Sequence, residues 1–146
     1  MEIERKFLVK TLPENLTSYP CRHLEQGYLS TAPVVRVRKD NDKYELTYKS
    51  SGMMVRQEHN LPLTQESYEH LKTKVDGRLI IKKRYMIPLD PYTIELDVFG
   101  GDLAPLLLAE VEFPSVEEAN AFQAPDWFGE DVTYDGRYHN SKLSQI

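Results

Sequence analysis

The sequence predicts a mainly β domain, α+β in class, built as an antiparallel barrel or sandwich of about eight strands. Three observations predict it. Short segments alternate apolar and polar residues with period two. Nine prolines and seven glycines separate those segments at close intervals. Only two stretches carry clear helix-start signals.

The strands fall near 2–9, 23–30, 34–39, 43–50, 54–61, 79–87, 92–98 and 108–113. Asp40-Asn41-Asp42 forms a hairpin turn between the third and fourth. One helix starts at the N-cap Thr64 and runs to about Val75, with Tyr68, Leu71 and Val75 on one side and Gly77 as its stop. A second starts at Ser115, where Glu118 completes a capping box. A short third helix is expected near 139–145.

Length and composition restrict the function. The 146 residues are expected to form one domain, 1–146, with 40% hydrophobic and 28% charged residues, as in a soluble globular protein. A formal charge of −5 disfavours a general nucleic-acid-binding surface. No apolar run approaches a membrane span, and the N-terminus lacks the apolar core of a signal peptide. A single cysteine, Cys21, excludes an internal disulfide and points to the cytoplasm.

The strands carry an unusual charge pattern. Alternation places residues i and i+2 on one face, about 6.5–7 Å apart. In "MEIERKFLV", Glu2, Glu4 and Lys6 share one face and Ile3, Arg5, Phe7 and Val9 the other. The same separation puts Arg36 with Arg38, Arg56 with Glu58, Lys82 with Arg84, Glu95 with Asp97, and Glu110 with Glu112. In "YELTYK", Glu45, Thr47 and Lys49 oppose Tyr44, Leu46 and Tyr48. Any one of these strands reads as a half-exposed sheet with a wet face. Together they do not, because same-sign pairs recur, and like charges at neighbouring positions cost stability without a counter-charge between them. Paired carboxylates suit a divalent cation, and paired Arg or Lys suit phosphate oxygens. A closed barrel with its polar face inward aims them all at one space. Seven basic candidates (Lys6, Arg36, Arg38, Lys49, Arg56, Lys82, Arg84) then face seven acidic ones (Glu2, Glu4, Glu58, Glu95, Asp97, Glu110, Glu112). That balance fits a polyphosphate bound with Mg²⁺ or Mn²⁺.

"EIERK" resembles the ExExK signature of the CYTH superfamily, the triphosphate tunnel metalloenzymes. "RVR", "TYK", "KKRY", "ELDVF" and "AEVEF" follow in the family order, so the resemblance spans the chain and is that of a small bacterial-type single-domain member. It implies an eight-stranded antiparallel barrel forming a tunnel with a charged interior, a few helices outside, and no appended helical polyphosphate-associated domain. It implies metal binding by Glu2, Glu4 and Glu112, with Glu110 nearby. Triphosphate contacts are implied for Lys6, Arg36, Arg38, Lys49 and Arg84, then Lys82 and Arg56. Glu58, Glu95 and Asp97 become supporting acids or a further metal site. The implied activity is metal-dependent cleavage of the terminal phosphoanhydride of inorganic triphosphate, with nucleoside triphosphates as further substrates. A class IV-like adenylate cyclase, a thiamine triphosphatase and a non-catalytic polyphosphate binder are the alternatives. A monomer or homodimer is expected, with no nucleic-acid or membrane partner.

The remaining residues of interest read as structural. His23, His59, His70 and His139 show no metal-ligand spacing, and Gly100–Gly101 lacks the residues of a phosphate loop. Trp127 reads as packing, and Lys142 as near the tunnel mouth or a barrel end.

Overall fold

The computed structural model describes residues 1–145. Its strands are β1 (Glu2–Val9), β2 (Cys21–Thr31), β3 (Val34–Asp40), β4 (Lys43–Lys49), β5 (Val55–Arg56), β6 (Glu58–Pro62), β7 (Asp76–Leu89), β8 (Tyr92–Phe99), β9 (Leu107–Glu112) and β10 (Phe128–Asp131). The helices are α1 (Gln65–Lys72), α2 (Val116–Ala121) and α3 (Asn140–Leu143). None is long and apolar enough to cross a membrane among the described residues.

One antiparallel sheet runs β10-β1-β9-β8-β7-β2-β3-β4-β6, and β5 brings its far end back onto β1. Glu2 pairs with Arg56 and Ile3 with Val55, so the sheet is a nearly closed barrel. With β5 and β6 taken as one strand interrupted at Gln57, the sheet has nine strands, one more than the eight expected. Two details of the barrel's closure differ from the sequence reading. The predicted strand 54–61 is split at Gln57, whose N–H donates to Ser50 Oγ at 2.9 Å and whose carbonyl accepts from the Ser50 N–H at 3.0 Å. The sheet also gains β10, which pairs with the second half of β1 at Phe7↔Asp131 and Val9↔Phe128, where β5 has already ended.

The apolar faces point outward and are covered in part, while Tyr48, Leu61 and Ile81 stay exposed. Phe7, Leu96, Val111, Phe113 and Phe128 form one buried cluster with Ala119 of α2. Arg5, on the same face of β1, ties that cover down: its guanidinium donates to the Ala119 carbonyl and to Asp131, each at 2.8 Å. A second cluster, with Tyr28, Ile80, Phe99, Leu108 and Val132, lies at one end of the barrel beside the C-terminal segment.

Helix α1 seats Tyr68 against Tyr44, ring centroids 5.2 Å apart. Its N-cap is Thr64, which exchanges hydrogen bonds with Ser67. Thr64→Ala is expected to lower stability by about 1 kcal/mol in urea melts, with the barrel unchanged. The helix ends at Lys72, short of Val75, so Gly77 is not its stop. Gly77 lies in β7 at φ +67, where a Cβ would sit 2.1 Å from the Ser144 carbonyl. Its role is to let the C-terminal segment approach, and the Arg78 N–H donates to that same carbonyl at 2.7 Å. At α2, Ser115 accepts from the Glu118 N–H at 3.1 Å. The Glu118 carboxylate accepts from Tyr92 at 2.6 Å, so the capping box is half formed.

Candidate active site

Inside the barrel is a polar cavity of about 170 Å³. Twelve of the fourteen predicted inward residues line it. Glu2, Glu4 and Lys6 enter from β1, Arg36 and Arg38 from β3, and Lys49 from β4. Arg56 and Glu58 enter at the β5–β6 break, Arg84 from β7, Glu95 from β8, and Glu110 with Glu112 from β9. Strand register sets the neighbours: Glu4 stands opposite Glu112, Lys6 opposite Glu110, and Glu95 opposite Glu110.

Lys82 and Asp97 face inward but lie behind the cavity wall. They form an ion pair at 2.6 Å, with side chains 0% and 1% exposed. Asp97 also receives Arg84 in a fork, Nε at 2.8 Å and Nη2 at 2.9 Å. Burial pulls the Lys82 ammonium down to about 7 against the attraction of Asp97.

The ladder also supplies wall residues that the sequence reading omitted. Arg22, Tyr28, Glu45 and Asn60 line the cavity from β2, β4 and β6, and Asn140 and Ser141 reach it from α3. Glu45 had a legible signal, since it shares a face with Thr47 and Lys49. Arg22 precedes the predicted start of its strand, and Asn60 carries no charge, so neither stood out. The C-terminal segment closes one end: Lys6 Nζ donates to the Tyr138 carbonyl at 3.0 Å, and Lys82 Nζ to Asn140 Oδ1 at 3.3 Å.

Most of the interior charges are paired. Lys49 meets Glu2 at 3.1 Å and Glu58 at 3.6 Å, Arg56 meets Glu2 at 3.7 Å, and Lys6 meets Glu110 at 3.6 Å. Arg84 reaches Glu95 at 3.4 Å. Five wall residues are left over. Among the described residues, Arg36 and Arg38 have no carboxylate within ion-pair distance, and Glu4, Glu45 and Glu112 have no cation. Burial pushes the Glu4 carboxyl well above its usual range, and the negative charges of Glu110 and Glu2 push it further. Burial also raises Glu112, helped by Glu2 and Glu95. For Glu110 burial is outweighed by Lys6, Arg84 and Lys82, which hold it well below the carboxylate range. Burial draws Arg38 down to about 9, with Arg36 and Arg84 adding repulsion. The cavity therefore holds two uncompensated cations on β3 and three uncompensated carboxylates on β1, β4 and β9.

A barrel closed around opposed, partly unpaired charges defines a protein that handles a small polyanion together with a cation. The chain belongs to the CYTH family: the CYTH domain model matches residues 1–146. It is 45% identical to an inorganic triphosphatase of Nitrosomonas europaea, over 98% of this chain and 96% of that protein. An inorganic triphosphatase of Acetivibrio thermocellus is 36% identical, over 97% and 92% of the two chains. A crystal structure of an inorganic triphosphatase superposes with a TM-score of 0.75 at 41% identity, covering 100% of this chain and 95% of that one. A conserved Pyrococcus furiosus protein shares the fold, with a TM-score of 0.63 at 22% identity over 83% and 85% of the chains.

Proposed function

We propose that this chain hydrolyses inorganic triphosphate with a divalent cation, releasing orthophosphate and pyrophosphate. One observation carries the reading: the cavity joins unpaired Arg36 and Arg38 to unpaired Glu4 and Glu112 in about 170 Å³. Pockets for drug-sized organic ligands usually span about 300–1,000 Å³. The space therefore favours a bare phosphate chain over one carrying a base. The two relatives named inorganic triphosphatases support the same substrate.

The acids fit a hard cation. Glu4 and Glu112 stand opposite each other in the ladder, and burial first, then neighbouring carboxylates, raises the proton affinity of both, a cost that a bound cation would relieve. Among the described residues no three carboxylates, histidines or cysteines form a ready cage. None is required, since Mg²⁺ is commonly held by one or two carboxylates together with substrate phosphates. Glu4 and Glu112 would hold Mg²⁺ or Mn²⁺, with Glu2 and Glu110 contributing only by sharing with Lys49, Arg56 and Lys6. Such a cation supplies charge stabilisation at the terminal phosphoryl group when bound.

The chain's own residues do the rest. Arg36 and Arg38 offer planar forks for phosphate oxygens. Lys6, Lys49 and Arg84 are held by carboxylates and present fixed positive charge along the phosphate chain, stabilising the leaving pyrophosphate. Lys82 and Asp97 act from behind the wall by fixing Arg84. Water attacks the terminal phosphorus, and its proton is released to solvent as the phosphoanhydride bond breaks.

The test is a panel of tripolyphosphate, ATP and thiamine triphosphate with Mg²⁺ or Mn²⁺, measuring phosphate, pyrophosphate and cyclic AMP separately. Tripolyphosphate should give the highest kcat/KM. Cyclic AMP as the main product, or a higher kcat/KM for ATP, would overturn the reading. Arg36→Ala and Arg38→Ala should each lower kcat/KM for tripolyphosphate about 10- to 100-fold. Parent-like kinetics in both would remove the two arginines from the substrate site.

A further inference from the structure

We propose that Gln26 and the Thr47–Asn60 pair are positioning residues that hold Arg38 and Arg36 through uncharged acceptors, leaving both guanidinium charges for a polyanion. The proposal rests on the phosphate-binding reading of the cavity. Of the seven predicted interior cations, Lys6, Lys49, Arg56, Lys82 and Arg84 each meet a carboxylate. Arg36 and Arg38 meet amide and hydroxyl oxygens instead. Gln26 stands opposite Arg38 in the ladder, and its Oε1 accepts from Arg38 Nε at 2.7 Å. Arg36, Thr47 and Asn60 lie in one row across β3, β4 and β6. The Thr47 hydroxyl accepts from Arg36 at 3.0 Å and donates to Asn60 Oδ1 at 2.6 Å.

A requirement only to satisfy buried cations does not explain this choice. Charge-assisted bonds to carboxylates are stronger, and Arg84, in the same wall, has two. The neutral partners leave a cost in place. Gln26 is 0% exposed, and its Nε2 has no hydrogen-bond partner, nor has Arg36 Nε. Arg38 is destabilised by its burial and by Arg36. A guanidinium carries five N–H donors. One on each arginine is fixed by these acceptors, which sets the plane of the fork without cancelling its charge.

Glutamate at position 26 keeps the acceptor and adds the missing counter-charge. Tripolyphosphate is titrated calorimetrically into metal-free protein in chelator. Gln26→Glu should raise the dissociation constant about 10- to 100-fold, while raising the melting temperature of the ligand-free protein. With metal present it should raise KM far more than it lowers kcat. Gln26→Met, which loses the acceptor and adds no charge, should weaken binding only about 3- to 10-fold and lower the melting temperature. A purely structural role predicts the opposite order, with Glu near parent and Met worst. Binding by Gln26→Glu within twofold of the parent overturns the proposal. Asn60 is exposed and its Asp replacement keeps the Oδ1 acceptor, so Asn60→Asp tests the second arginine at small cost to folding. It should weaken binding about 3- to 10-fold, and an unchanged constant also counts against the proposal. Parallel titrations use pyrophosphate and sulfate. A parent that binds these in an Arg38-dependent way but does not cleave tripolyphosphate overturns the hydrolase reading and upholds the anchor. A parent that binds none of the three overturns both.

Discussion

Glu4→Gln should raise the melting temperature of the metal-free protein, abolish its response to added Mg²⁺ or Mn²⁺, and lower activity about 100- to 1,000-fold. The sign follows from proton linkage. The Glu4 carboxyl is raised well above its ordinary value by burial, then by Glu110 and Glu2. Between the ordinary value and the raised one, the folded chain binds more protons than the unfolded chain. Stability therefore falls as pH rises through that window, and the cost is present in full above it. An amide of the same shape carries no such cost. The parent should gain stability on acidification through the window, and the variant should lose that gain. Function moves the other way, because a neutral amide is a poorer ligand for a hard cation. A cation at a hundred times its dissociation constant stabilises the parent by about 2.7 kcal/mol, and the increment should largely vanish in the variant. Thermal melts in chelator and in metal, beside a phosphate-release assay, read all three effects. If Glu4→Gln unfolds the metal-free protein while its folded fraction keeps full activity, the opening motif is structural.

Period-two alternation is a property of single strands, and it made the wall of the cavity legible. "EIERK" and "AEVEF" each told which side chains share a face, and the ladder sets those faces together at Glu4↔Glu112 and Lys6↔Glu110. Alternation does not tell how far along the barrel axis a residue lies, because depth depends on strand stagger and tilt. Lys82 and Asp97 have the same pattern as Arg84 and Glu95, yet they sit behind the wall at the end covered by Asn140. The acceptor roles of Gln26, Thr47 and Asn60 were hidden for another reason. Uncharged residues on a charged face carry no sequence signal until their partners are known. β10 is four residues, FGED, too short to show a period, and it is held by the free edge of β1. The closure of one end by the C-terminal segment is likewise a tertiary contact, made through the Lys6 bond to the Tyr138 carbonyl.

Asp97→Ala should be the most destabilising single change in the barrel interior, costing about 3–5 kcal/mol at neutral pH. The carboxylate is wholly buried and serves two cations at once, Lys82 at 2.6 Å and Arg84 in a fork at 2.8 and 2.9 Å. Its own affinity for protons is lowered, since Arg84 and Lys82 outweigh its burial. Removing it strands both cations in a dry layer. The two respond differently. Lys82 can escape by losing its proton, because burial already draws the ammonium down to about 7 and the loss of Asp97 removes the opposing attraction. Arg84 cannot deprotonate and keeps only Glu95, at 3.4 Å. As pH falls below neutrality, the parent's Lys82 takes up its proton beside Asp97, whereas the variant's Lys82 resists doing so. The folded variant then binds fewer protons than the folded parent, so its deficit should widen between about pH 7 and pH 5. Lys82→Met is the control: it leaves Asp97 bonded to Arg84 and should cost clearly less. Urea unfolding of the parent and both variants at the two pH values measures the differences. An Asp97→Ala midpoint equal to that of the parent would show that water reaches this layer in solution, and that Arg84 is held in place by something other than Asp97.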